Sequence, residues 1–329
     1  MKILFISNQI SNSDGVGNPV INNLMSEMKR LKPKDKIDFV GFSYKFETLR
    51  ELYIARKKKY DIIHFQFGGI YIYLALLPFV FQNNRRVVTF HGTEIHGVLV
   101  NQNKNKYRKF KVKLNRLFAL FSFVMFSRIG FVSHVLIDSV PKYFKYLYNS
   151  KFFIQRLGVD YNLFKPIPKS YAREYLDLDS DKKLFLFSSI SSSPVKRLDL
   201  AEKIVQYMGE GYQLLLMNAV PSDEVPFFMA ATDYVLLTSD AEGSPNIVRE
   251  ALAMNRPVFG VNVGDVKDQI SNCKESLIIS VNPEIASGQI KQKLKNSHEE
   301  NTRDRFKFKI SLENTTRELI SLYEKCIFK

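Results

Sequence analysis

The sequence predicts an α/β protein made of two doubly wound domains in tandem, and three observations carry that prediction. A chain of 329 residues with 45% hydrophobic content is long for one domain and apolar enough to bury two cores. Short runs that are apolar throughout, rather than alternating, recur with helical or polar segments between them, as in strands buried on both faces of a parallel sheet. A segment with two prolines, "NLFKPIPKS" (162–170), separates two such series.

The first series opens with "KILFIS" (2–7). The apolar run of "MKILFISNQI" is too short for a secretory leader and lacks the small-residue cleavage site, so it reads as a strand. "IDFVGF" (37–42), "DIIHFQF" (61–67), "RVVTFH" (86–91), "RIGFVS" (128–133) and "KFFIQRLG" (151–158) follow. The prolines then disfavour helix and cannot join a ladder, which marks a linker. Beyond them "KLFLFSS" (183–189), "YQLLLMN" (212–218), "DYVLLTS" (233–239), "PVFGV" (257–261) and "SLIIS" (276–280) form the second series. The expected division is a domain at 1–165, a domain at 166–310 and a terminal helix in 311–329. On that helix Leu312, Leu319, Ile320, Leu322 and Tyr323 fall near one face, suited to packing back on the first domain. The longest apolar stretch, Ile70 to Phe81, is about a dozen residues, short of the roughly 18 that cross a bilayer.

Composition narrows the function classes. Cys273 and Cys326 are the only cysteines, far apart and without metal-ligand spacing, so neither a disulfide framework nor a zinc site is expected. The net charge of +15 is uneven: residues 1–165 hold 27 Lys and Arg against 10 Asp and Glu, whereas 166–329 hold 21 against 23. A basic half suits a polyanion, either nucleic acid or an anionic membrane surface.

In doubly wound sheets ligands settle beyond the carboxyl ends of strands. After the strand "DYVLLTS" comes "DAEGSPNIVREALAM", with two glutamates eight positions apart, Glu242 and Glu250. Ser244 is suited to N-cap a helix, Pro245 to its first position, and Ile247, Val248, Ala251 and Leu252 to its apolar face. The amides of Gly243, Ser244 and Asn246 would then offer an anion site at a helix start. Glu250, farther along, could accept the two hydroxyls of a vicinal diol such as ribose, and Glu242 would face a group beyond the phosphates. Diphosphate, ribose and a third group together describe a nucleotide-sugar.

These segments resemble the Glu-x7-Glu signature of the retaining, two-domain glycosyltransferases of family four, the group 1 type with the GT-B fold. "TFHGTEIH" (89–96), "RLGVDYNLFKP" (156–166) and "VKRLDLAEKIV" (195–205) are similar to further segments of that family, in the same order. The resemblance implies two Rossmann-like domains facing a central cleft. It also implies sugar transfer from a nucleotide-diphosphate donor, UDP favoured over GDP, in synthesis of a bacterial surface polysaccharide such as lipopolysaccharide or capsule. By similarity, Glu242, His91 and Lys196 would be catalytic, with Lys196 neutralising the departing diphosphate. Glu250, Gly243, Ser244, Pro245, Asn246, Ile247, Arg197, Gly15 and Gly17 would hold the donor. No cofactor and no metal are expected. One departure is the absence of the family's arginine shortly before the lysine; Arg197 is the nearest replacement.

The stretch "NKNKYRKFKVKLNRLFALFSFVMFSRIG" (103–130) begins with cations and turns hydrophobic. Lys104, Lys106, Arg108, Lys109, Lys111, Lys113 and Arg116 would ring Phe110, Leu114, Leu117 and Phe118. Such a helix suits an anionic bilayer, and burial of its phenylalanines against the first sheet, the alternative, is compatible with that reading. The expected partners are a nucleotide-sugar, a lipid-linked saccharide acceptor and the membrane surface, with no nucleic acid. The expected location is cytoplasmic, peripheral on the inner face of the cytoplasmic membrane. The alternatives are a nucleotide-sugar epimerase or phosphorylase on the same fold, and a basic nucleic-acid-binding protein.

Overall fold

A computed structural model describes residues 1–8, 19–42, 46–82, 84–96, 106–178, 181–188, 194–296 and 302–327. The chain divides into two compact units, Met1–Gly158 with Leu312–Lys329, and Val159–Ser311. Each unit is built on one wholly parallel sheet. The first contains β1 (Lys2–Asn8), β2 (Lys36–Phe42), β3 (Ile62–Phe65), β4 (Arg85–Phe90), β5 (Arg128–Phe131) and β6 (Phe152–Ile154), in the order β2-β1-β3-β4-β5-β6. The second contains β7 (Lys183–Ser188), β8 (Tyr212–Met217), β9 (Tyr234–Leu237), β10 (Val258–Val261) and β11 (Leu277–Ile279), in the order β11-β10-β9-β7-β8. Every strand expected from the sequence is present, and the fold class is α/β as predicted.

The reason the strands read as apolar runs is visible in the first sheet. Ile3, Phe5, Ile37, Ile62 and Val87 face the helices Pro19–Leu31 and Leu312–Ile327, whose Ile21, Leu24, Met28, Leu319, Ile320 and Tyr323 complete one core. The alternate residues Leu4, Ile6, Ile63, Phe65, Val88 and Phe90 enter a second core on the opposite face. With side chains leaving a strand on both sides in turn, burial of both faces demands an apolar residue at every position. The C-terminal helix is therefore part of the first unit.

The passage between units falls at Gly158 and Val159, ahead of the Pro166 and Pro168 stretch that suggested a boundary near residue 165. Gly158 packs so closely on the C-terminal helix that a Cβ there would lie 2.4 Å from Leu312 Cα. The prolines instead sit inside the second unit, with Ile167 packed against its core.

Both sheets wind alike: the second strand lies outside the first, and the third returns to the first strand's other side. The winding thus reverses between β1 and β3 and again between β7 and β9. At such a reversal the loops leaving adjacent carboxyl ends diverge and open a crevice. The start of β9 is fixed by Asp233, which is buried against Arg173 (2.9 Å), Lys183 (3.3 Å) and Lys169; the Asp233 carboxylate also accepts from the Leu184 amide at 2.8 Å.

Candidate active site

The segments that follow β7 and β9, neighbours at the reversal point of the second sheet, bring Lys196 and Glu242 together. After β7 a single 3-10 turn, Pro194–Lys196, leads to Arg197 in the left-handed region (φ 54°). This turn is pinned to the β9 loop: the Asp240 amide donates to the Val195 carbonyl at 2.8 Å, and the Thr238 hydroxyl reaches the carbonyls of Lys196 and Arg197, each at 2.9 Å. Lys196 Nζ then meets Glu242 Oε1 at 2.6 Å, the carboxylate largely buried and the ammonium about a third exposed. An ammonium has three protons, so two remain for a ligand once Glu242 has taken one.

Arg197 is differently employed. Its guanidinium donates to Asp199 and to Asp240, each at 3.0 Å, and these carboxylates raise its pKa further. Its charge is matched within the protein by Asp199 and Asp240.

The predicted helix start is corrected by one residue. Pro245, not Ser244, is the N-cap residue, with extended backbone (φ −69°, ψ 125°), and the helix runs Asn246–Ala253. No side chain caps it. The Ser244 hydroxyl is drawn away: it donates to Asp265 Oδ2 at 2.7 Å and accepts from Arg249 Nη1 at 2.6 Å. The amides left without intrahelical partners are therefore those of Asn246, Ile247 and Val248. The buried Arg249 also donates to the Ser244 carbonyl (3.2 Å) and to Asn246 Oδ1, clamping the loop from beneath. Gln269 holds Asp265 at 2.7 Å. Gly264, at φ 52°, closes the other side, where a Cβ would stand 2.9 and 3.0 Å from the carbonyl oxygens of Glu242 and Gly243.

Glu250 lies one turn into the helix, half-buried, and among the described residues no hydrogen bond reaches its carboxylate. Burial pushes its pKa from 4.5 up to about 7, against the pull of the Arg249 charge. An acidic group raised in this way and left without a partner is poised to accept hydroxyls.

His91, in the first unit, follows β4 and is half-buried. Its Nε2 meets Gln66 Oε1 at 2.9 Å, and burial lowers its pKa, with Glu94 opposing. Gly15, Gly17 and Lys104 lie outside the described residues, as do the side chains of Lys106 and Arg108. Among the described residues no group of three or more His, Cys, Asp or Glu side chains is arranged to hold a metal ion.

Sequence reasoning missed Gln66, Arg249, Gly264 and Asp265. Two of them left a signal: Arg249 stands within the apolar run "NIVREALAM", and Gln66 interrupts "DIIHFQF". A polar residue in such a run is either a strand-end accident or a buried partner.

No family model and no curated protein matches the sequence. Solved structures do. Sucrose-phosphate synthase from Thermosynechococcus elongatus superposes with a TM-score of 0.75 at 13% identity, over 99% of this chain and 98% of that one. HepE of Anabaena, in complex with UDP and glucose, gives 0.74 at 13% identity over 99% and 100% of the two chains. A glycosyltransferase from Rickettsia africae gives 0.70 at 17% identity over 100% and 99%. The fold is that of the GT-B glycosyltransferases. The likeness runs over essentially the whole length of each chain.

Proposed function

We propose that the protein is a retaining glycosyltransferase that moves a sugar from a nucleotide-diphosphate donor, UDP before GDP, to a lipid-linked or growing saccharide of the cell surface. The observation that carries this reading is the pairing of Lys196 with Glu242 at the reversal point of the second sheet, just ahead of the helix that bears Glu250, whose carboxylate no hydrogen bond reaches among the described residues.

The chemistry follows from charge. As the bond from the sugar's anomeric carbon to the diphosphate breaks, negative charge grows on the departing oxygen and positive charge on the sugar ring. The free protons of Lys196 and the uncapped amides of Asn246, Ile247 and Val248 face the first; Glu242 is suited to the sugar hydroxyls. Glu250 takes the ribose diol, and the acceptor hydroxyl bonds to the anomeric carbon on the face the diphosphate leaves, its proton passing to the departing diphosphate oxygen. On the strength of the resemblance, His91 is assigned a contact to a substrate hydroxyl. The complexes of HepE with UDP, with UDP and glucose, and with UDP-glucose support the choice of donor.

The acceptor side rests on the helix Lys106–Phe121. Phe110, Leu117 and Phe121 are exposed on one stripe, extended by Val124. Lys109 and Lys113 flank the stripe on one side and Lys111 on the other. Phe121 meets Phe144 edge-on, joining the stripe to the helix Lys142–Tyr148, which exposes Tyr143, Tyr146 and Leu147. Of the patch expected from the sequence, Leu114 and Phe118 are half-buried and Arg116 is bound to the Ser139 carbonyl at 2.8 Å. The remaining mixture of lysines and exposed rings suits an anionic lipid surface, where a lipid-linked acceptor would reside.

Calorimetry with UDP, GDP, ADP and CMP tests the donor. UDP binds most tightly on this reading, and Glu250→Ala weakens it at least tenfold, the equivalent of about 1.4 kcal/mol lost with the diol contact. Equal affinity in the variant removes Glu250 from the site. Sugar release that requires an added glycan acceptor separates transfer from an epimerase or phosphorylase.

A further inference from the structure

His91 stands at the end of a buried polar chain that crosses the first sheet. Its Nε2 lies 2.9 Å from Gln66 Oε1; the Gln66 amide nitrogen lies 3.5 Å from Gln155 Oε1; that oxygen also accepts from the Thr89 hydroxyl. Thr89 Oγ1 is 2.8 Å from His64 Nε2, and His64 Nδ1 meets the Tyr323 hydroxyl of the C-terminal helix. His64, Gln66, Thr89, Gln155 and Tyr323 are all buried, so each donor and acceptor must be accounted for within the chain.

With Gln155 Oε1 turned toward Thr89 and Gln66, the accounting has one solution. A side-chain amide oxygen only accepts, so the Thr89 proton goes to Gln155 and Thr89 can only accept from His64. His64 Nε2 therefore carries a proton. Burial holds His64 neutral, its pKa pushed down to about 3, so Nδ1 is bare and receives the Tyr323 proton, which burial holds firmly on the phenol. At the other end the Gln66 nitrogen faces Gln155 and also lies 3.2 and 3.4 Å from the two His64 nitrogens. Turning that amide over would set two carbonyl oxygens against each other at Gln155. The Gln66 oxygen thus stays on His91, which must donate from Nε2.

We infer that Gln66, backed by Gln155, Thr89, His64 and Tyr323, is a positioning residue that locks His91 in the Nε2-protonated tautomer and leaves Nδ1 as an acceptor for a substrate hydroxyl. Among the described residues Nδ1 has no recorded partner, which leaves it available. The tautomer stands on the geometry alone; the substrate hydroxyl rests on the proposed function. His91 then selects for a hydroxyl that can donate, and a sugar bearing an acceptor-only group at that place is refused.

Long-range nitrogen–proton NMR on the ¹⁵N-histidine-labelled full-length protein at neutral pH reads the tautomer without any donor. The protein has five histidines, and His91→Asn assigns the signal. The expected spectrum shows His91 as a single neutral form, protonated at Nε2, with a slowly exchanging proton. In Gln66→Met, which keeps the length and removes both hydrogen-bonding groups, the two nitrogens move toward an averaged, mixed-tautomer pattern while the histidines other than His64, which also adjoins Gln66, keep their shifts. A wild-type spectrum with His91 protonated at Nδ1, or as the imidazolium, overturns the inference with no variant needed. So does a Gln66→Met protein that folds and retains the wild-type His91 pattern. Failure of UDP to bind would sink the proposed function and leave this result untouched.

Discussion

Glu250 carries a pH signature in the second unit. Its carboxyl titrates near 7 when folded and near 4.5 ordinarily. Between those values the folded chain holds a proton that the unfolded chain has released, so stability falls as pH rises through the window and stays low above it. The shift amounts to about 3 kcal/mol at most. Glu250→Gln, which cannot ionise, should therefore melt higher than wild type at pH 8 and equally at pH 4, as read by differential scanning calorimetry. Donor binding has the opposite slope. Hydroxyls bond best to the ionised carboxylate, so donor affinity should rise from pH 6 to pH 8 in the wild type and stay flat and weaker in Glu250→Gln. Parallel slopes in the two proteins would mean that another group titrates. The residue is then one whose retained charge costs the empty fold and serves the ligand.

At the scale of elements, the loop from Ser239 to Asn246 is positioned by parts distant in the chain. Gly264 admits it only because no Cβ intrudes on the Glu242 and Gly243 carbonyls. Gly264→Ala adds both left-handed strain, roughly 1 kcal/mol, and a clash with backbone that has no rotamer to yield. Donor affinity is expected to drop at least tenfold. Gly288→Ala is the control: its Cβ meets nothing within 4 Å inside the helix Pro283–Lys295, so it should gain about 0.5–1 kcal/mol of stability and leave affinity unchanged. If Gly264→Ala binds donor normally, the loop is not held by that contact. The same loop shows what was legible in the sequence. All of the strands could be read because burial on both faces leaves a local signature, and Glu242, Lys196 and Glu250 could be placed because each follows a readable strand or helix. The helix start was misjudged because the Ser244 hydroxyl is claimed by Asp265, 21 residues away, and by Arg249. No local pattern contains that competition. His91 and Gln66, 25 residues apart, are likewise joined only by the pairing of β3 with β4.

For the molecule as a whole, charge is the property that reaches farthest. Among the described residues no helix is long and apolar enough to cross a membrane. The excess cations lie in residues 1–165, the same region that exposes Phe110 at 62%, Phe121 at 53% and Tyr146 at 82% of their areas. The two contributions separate experimentally. Each lysine near an anionic surface contributes about 1 kcal/mol, falling away as salt shortens the Debye length. Reversing Lys109, Lys111, Lys113 and Lys142 to Glu should therefore weaken partition into phosphatidylserine vesicles by roughly a thousandfold or more at low ionic strength, an effect that shrinks in high salt. Phe121→Asp with Tyr146→Asp removes the inserted rings, and its loss should persist at high salt, where the hydrophobic contribution is not screened. Vesicle sedimentation at two salt concentrations distinguishes them. Binding that vanishes with the lysines and ignores the rings would describe a polyanion site without membrane insertion. Wild-type partition that is equal for neutral and anionic vesicles would remove the role assigned to the basic half.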